Sequence, residues 1–238
     1  AANGVSVDAL GIATTTAVQN LQFSSAKVAS VIGQEGAPLA LQGGVQVQLG
    51  GKGVTDSQLS VDGNTLHGSA TGNAAANSIA VKGNDIAAAS LLPVAGAANT
   101  TILSGAIADH SLSNAQLAIG TAPISSKAAG AFGISTAAGM LVADTTLSVS
   151  NNDQSAKAVA NTAANDLSLQ AANVSGRSAL QSGQASIAPV EARSFAQAYA
   201  PGSVSDSSVR IAGNANTALA VSNDATSRIA IAADTTPA

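Results

Sequence analysis

The chain has 238 residues, 46 % of them hydrophobic, yet holds only three Phe, one Tyr, one Met, no Trp and no Cys. Alanine supplies much of the apolar content, which excludes a core built on bulky aromatic anchors and implies a thin one of small and branched side chains. The net charge of −4 and the scattered Lys and Arg exclude the basic footprint of a nucleic-acid binder, and no apolar run is long enough for a membrane-spanning helix.

Taken in chain order, the opening Ala1-Ala2-Asn3 suits a mature end left by a signal peptidase, and the absence of Cys permits an oxidising compartment. Val5/Val7 and Leu21/Phe23 are apolar pairs two apart, the spacing that points two side chains to one face of a strand. GGVQVQLGGKG at 43–53 reads as a strand at 45–49 between Gly turns; it lacks GxxxxGK[ST], so no phosphate loop is implied. The apolar pair then recurs on a frame near 20 residues: Leu39/Leu41, Leu59/Val61 and Ile79/Val81. Between about 86 and 143 the frame blurs, with Ile102/Ser104 and Leu117/Ile119 as candidate marks. It resumes at Leu147/Val149, Leu167/Leu169, Ile187 with Pro189, Val209/Ile211 and Ile229/Ile231. Phe195 and Tyr199 share one face at 190–200, where ordinary packing is expected.

A longer identity overlies this frame. The stretch from Asp56 aligns without gaps on the stretch from Asp144, shifted by 88, and on that from Asp206, shifted by 150. Asn64, Asn152 and Asn214 fall together, as do Asn73, Asn161 and Asn223. A fixed period near 20 with β-branched pairs predicts an all-β fold, a single β-solenoid of the parallel β-helix kind over 1–238 with two short strands per coil. Regular coils are expected at about 39–85 and 144–234, and irregular coils or an insertion at about 86–143. About a dozen coils would fill the chain, a body roughly 55–60 Å long at about 4.8 Å per strand. Asn64, Asn84, Asn152, Asn214, Asp234, Asn73, Asn161 and Asn223 are expected at its corners, where Asn and Asp tolerate left-handed backbone and satisfy turn groups. Amides stacked in register, as Asn64 and Asn84 would be, can bond along a ladder.

Chemistry is sparse. His67 and His110 belong to no HExxH or HxH pattern, no GxSxG stretch is present, and a Cys/His zinc site has no ligands. Asp56, Asp144 and Asp206 recur once per long repeat, as a structural position does rather than a single active site. No catalytic, cofactor or metal site is therefore expected, and no enzyme.

The Asn-punctuated, Ser/Ala/Gly-rich LSVDGNTLHGSATGNAAANSIAVKGN at 59–84 resembles, in compositional style, the repeats of secreted bacterial surface-fibre proteins of the curlin-like and holdfast-anchor kind. The resemblance implies an exported building block of a surface fibre or attachment structure. Terminal strands around Val5, Val7, Ile229 and Ile231 would then pair head to tail into a homopolymer, because an uncapped strand edge recruits another chain. An extracellular polysaccharide or an outer-membrane anchor is a further candidate partner. A monomeric β-helical adhesin or polysaccharide-binding or -cleaving module is the alternative.

Overall fold

The computed structural model describes residues 2–10, 16–36, 42–51, 53–86, 108–201 and 204–233. The fold is all-β with parallel sheets: 77 % of the described residues lie in strands and none in a helix. Alanine's helix preference is overridden by Asn, Gly, Ser and Thr every few residues and by β-branched residues at the apolar marks. No helix among the described residues is long and apolar enough to cross a membrane.

The strands fall into three passes preceded by one short strand. β1 (Ala2–Leu10) comes first. The first pass runs through β2 (Thr16–Ser24), β3 (Val28–Ile32), β4 (Gln46–Leu49), β5 (Gly53–Thr55), β6 (Gln58–Asp62) and β7 (Thr65–Ile86). The second holds β8 (His110–Ala118), β9 (Ile124–Thr136), β10 (Leu141–Ala143), β11 (Thr146–Ser150) and β12 (Asp153–Val174). The third holds β13 (Ser178–Ser186), β14 (Val190–Tyr199), β15 (Ser208–Ala212) and β16 (Ala215–Ala233). Each pass lays its strands in parallel register on the one before, giving the orders β1-β7-β12-β16, β2-β8-β13, β3-β9-β14 with β4 also on β9, β6-β11-β15, and the pair β5-β10.

The stacking interval differs from the 20-residue frame. Leu59 pairs with Leu147 and Leu147 with Val209, while Ile79 pairs with Leu167 and Leu167 with Ile229. These are the equivalences of the long gapless alignment. Leu59/Val61 and Ile79/Val81 instead lie in one pass on different sheets, β6 and β7. The echo at 20 residues thus falls between neighbouring sheets, whereas strand pairing follows the intervals of 88 and 62 residues. Ile187 lies in the turn after β13 with 75 % of its surface exposed, so it is not a core mark. The segment that blurred the frame supplies β8, β9 and β10, which are paired strands. Leu39/Leu41 and Ile102/Ser104 lie outside the described residues.

Three apolar clusters fill the space between the sheets. Val18, Leu112, Ile79, Val81, Leu167 and Leu169 join the β2-β8 side to β7 and β12. Phe132 and Ile134 of β9 meet Val61, Val142, Leu147 and Val149. Between these lies a thinner cluster with Ala70, Ala118, Ile124 and Ala160. Each buried Leu or Ile removes enough apolar surface from water to contribute about 1.5–3 kcal/mol.

The long strands bend where the small-residue cluster lies. Along β7 the inward residues run Gly68, Ala70 and Gly72, then change parity to Asn73, Ala75, Asn77, Ile79 and Val81. The pairing with β12 skips Gly72 and Ala160 at that point. A Cβ on Gly72 would meet Ala160 O at 2.6 Å and Ile124 Cδ1 at 2.7 Å, so close approach of three strands requires glycine there.

Candidate functional site: the stacking edges and their amide ladders

The corner between the short and long strands is built the same way in all three passes. The turn residues Gly63, Asn151 and Gly213 have φ of 67°, 52° and 66°, a left-handed geometry open to Gly and tolerated by Asn. The next residue is an Asn each time. Asn64 Nδ2 donates to Asn152 Oδ1 at 2.8 Å, and Asn152 Nδ2 to Asn214 Oδ1 at 2.8 Å. Each acceptor also takes the backbone N–H of the donor residue, at 3.1 Å. Asp56, Asp144 and Asp206, with φ of 49°, 52° and 47°, occupy the preceding turn.

Asn73, Asn161 and Asn223 are placed differently from the expectation. They stand inside β7, β12 and β16 at the change of parity, not in separate turns. Asn73 Nδ2 donates to Asn161 Oδ1 at 2.8 Å, and Asn161 Nδ2 to Asn223 Oδ1 at 2.7 Å. Asn84 does not stack on Asn64; it is an exposed residue of β7, and the ladder bond nearest it runs from Asn173 Nδ2 to Asp85 Oδ1 at 2.7 Å. Asp234 lies outside the described residues.

Sequence reading missed two further ladders. Asn3 donates to Asn20 Oδ1 at 3.1 Å, Asn20 to Asn77 Oδ1 at 2.7 Å and Asn77 to Asn165 Oδ1 at 2.9 Å. Gln184 Nε2 donates to Gln116 Oε1 at 2.5 Å and Gln116 Nε2 to Gln22 Oε1 at 2.6 Å. Their partners lie 94 residues apart or fewer at unequal spacings, so no single shift aligns them.

The two sides of the stack differ. In the second pass Leu147, Val149, Leu167 and Leu169 are at most 1 % exposed, whereas their register partners Val209, Ile211, Ile229 and Ile231 in the third are 42–54 % exposed. Among the described residues no strand pairs with the outer edges of β13, β14, β15 and β16. On the opposite side β1 pairs with residues 74–82 of β7. The pairs named from sequence are therefore both in one sheet, at its two edges, but in shifted frames. Val7, not Val5, is in register with Ile79 and through it with Leu167 and Ile229; Val5 is in register with Asn77.

Among the described residues no three His, Cys, Asp or Glu are grouped to hold a metal ion. His67 Nδ1 lies 2.6 Å from Ser155 Oγ at the surface. His110 is buried with neither ring nitrogen bonded to a described residue, and burial holds its pKa below the ordinary value despite Asp109 nearby. Asp109 accepts the Arg177 backbone N–H at 2.8 Å and its Nε at 3.3 Å, and that backbone bond first of all draws the carboxyl pKa down. Tyr199 lies over Gly133, where a Cβ would fall 2.6 Å from its ring, and burial raises its phenol pKa. A shallow trough of about 670 Å³ crosses the outer face of the long sheet past Ser6, Ser78, Asp166 and Arg228.

Comparison with protein families, with curated proteins and with solved structures returns no match.

Proposed function

We propose that the parallel sheets are the sides of one β-solenoid whose turns are the three passes, and that the chain is a structural subunit of an extracellular bacterial filament or surface attachment appendage. Copies add end to end through their terminal layers. The observation that carries this reading is the third pass: its inward residues are half exposed in the register in which the layer beneath is sealed. An edge of unpaired strand groups beside exposed core residues favours a further parallel layer.

Self-similarity supports a second copy as that layer. The first-pass stretch from Asp56 already stacks two layers below the stretch from Asp206 with its apolar and Asn positions matched. Laid on the third pass of another molecule, it brings Leu59 onto Val209, Asn64 onto Asn214 and Asn73 onto Asn223. The Asn64-Asn152-Asn214 and Asn73-Asn161-Asn223 ladders then continue. The extracellular placement is supported by repeats styled like those of secreted fibre proteins, and the lack of Cys permits it. Negative-stain microscopy with light scattering tests the reading: filaments that grow with concentration and persist in mild detergent are expected, and a stable monomer at all concentrations contradicts it.

The trough on the long sheet favours a second reading, a monomeric adhesin or polysaccharide-binding or -cleaving module. Its open shape and the polar side chains of Ser6, Ser78, Asp166 and Arg228 on a mainly apolar floor suit a glycan chain. A glycan array, with release of reducing ends as the catalytic readout, tests it.

A further inference from the structure

Among the described residues the long sheet has four strands along residues 74–82 of β7, whereas the flanking sheets and the rest of the long sheet are at most three strands deep. The extra strand is β1. Two copies stacked in register therefore conflict. If β1 of the upper copy rests on β16 of the lower, the other sides are held apart by a missing layer, a gap of about 4.8 Å. If the other sides close, β1 of one copy and β16 of the other claim the same edge.

We infer that β1 is an exchangeable strand: in the free chain it occupies the edge of β7 that β16 of a second copy takes on assembly. This rests on the end-to-end stacking proposed above and specifies its partner strand and its control. Through β7 and β12, β1 and β16 hold equivalent registers. Ser6 corresponds to Arg228, Val7 to Ile229 and Ala9 to Ile231. At the positions in register with Ile79 and Val81 the resident strand thus has Val7 and Ala9, and the incoming one has Ile229 and Ile231. The incoming pair carries four more side-chain carbon atoms, and Ile229 and Ile231 move from half exposure into a closed layer.

The resident strand is held more lightly than its equivalents. It pairs over nine residues, against twenty between β7 and β12, and has a neighbour on one side only. Its described side-chain ties are the Asn3 to Asn20 bond at 3.1 Å and the Ser78 Oγ to Ser6 Oγ bond at 3.0 Å. An edge strand of this kind opens locally without unfolding the layers behind it. While docked it also blunts the β7 edge, the usual protection of a sheet against premature pairing. Strand exchange makes assembly a two-step event, release of β1 and docking of β16, so its rate scales with the fraction of open chains.

The pair Ser6 and Ser78 supplies the test, since both are directly opposed in adjacent parallel strands and the chain has no Cys to interfere. The Cα spacing of such neighbours, about 4.8 Å, falls within the range a disulfide spans. S6C/S78C is oxidised, checked for complete bridging and unchanged circular dichroism, and followed by light scattering and microscopy beside its reduced form. The parent and a variant lacking residues 1–10 are followed in parallel. The expected result is no elongation when oxidised and parental elongation when reduced. Without residues 1–10, elongation is faster by about tenfold or more, because the competent state is no longer a minor fraction. Equal assembly in oxidised and reduced forms overturns strand exchange while leaving stacking intact. No assembly by parent, reduced and truncated chains alike overturns the stacking itself.

Discussion

Asn73 donates its side-chain amide to Asn161 Oδ1 at 2.8 Å, and Asn161 hands the same bond on to Asn223 at 2.7 Å. One side-chain type repeated at 88 and then 62 positions thus bonds across the parallel strands β7, β12 and β16 in register. Asn73 and Asn161 are fully buried, and their second amide hydrogens reach the backbone oxygens of Leu117 and Ala185. The ladder thus ties the long sheet to the β2-β8-β13 side as well as to itself.

Asn161→Ala removes the middle rung and leaves the buried amide of Asn73 short of a partner, while Ala185, an exposed residue, can turn to water. A loss of about 1–3 kcal/mol in urea unfolding is expected, from one buried group. Asn223→Ala, in the exposed third layer, is expected to cost less than about 1 kcal/mol because water replaces the partner.

Layer position sets the cost of apolar truncation. Leu167→Ala opens a cavity in a fully buried site, and about 2–5 kcal/mol is expected from thermal or urea unfolding. Ile229→Lys, at the equivalent register position one layer out, is expected to change monomer stability by less than about 1 kcal/mol, the range of an exposed substitution, while abolishing filament growth. Undiminished growth by Ile229→Lys contradicts the assignment of that edge.

Gly133→Ala places a methyl where the ring of Tyr199 lies, against a Cβ position 2.6 Å from ring carbons. Overpacking of about 1–3 kcal/mol is expected. The Tyr199 hydroxyl, 3.3 Å from Gln46 Oε1, moves with the ring, so tyrosine fluorescence reports the displacement directly.

Acid destabilises the fold in two windows. Burial holds the His110 pKa below 6.5, so the unfolded chain binds that proton more readily; stability is flat above about pH 6.5 and falls below it. Asp109 is also depressed, from 3.8, so its contribution is present above that value and lost as pH drops through its lower folded pKa. Melting temperatures of the parent are expected to decline from pH 6.5 to 4.5, and His110→Leu to flatten that interval. An unchanged slope in His110→Leu contradicts the burial argument.

Much of the local structure was legible in the sequence, and the stacking was legible in one of its two repeats. The match of Asp56 with Asp144 and Asp206 follows strand pairing because each layer reuses the same turn and the same apolar positions. The echo of Leu59/Val61 at Ile79/Val81 arises differently: successive sides of one layer are both strands of alternating polarity ended by Asn or Gly. Periodicity records either kind of recurrence and cannot separate them. β8 was marked in sequence only by Leu117/Ile119 because its inward positions beside Leu112 are His110, Asn114 and Gln116, the last two in side-chain amide bonds, rather than an apolar pair. The bend at Gly72 and Asn73 was hidden for a related reason, since the parity change leaves no turn residue outside the strand.

The axial rise of the proposed filament, measured by electron cryo-microscopy, tests the account most directly. Three layers per copy, with β1 expelled by the neighbouring β16, predict a 4.8 Å strand repeat along the axis and a rise of about 14 Å per subunit. A rise of about 19 Å, four layers with β1 retained, contradicts strand exchange. Particles that stay single at every concentration contradict the assembly itself.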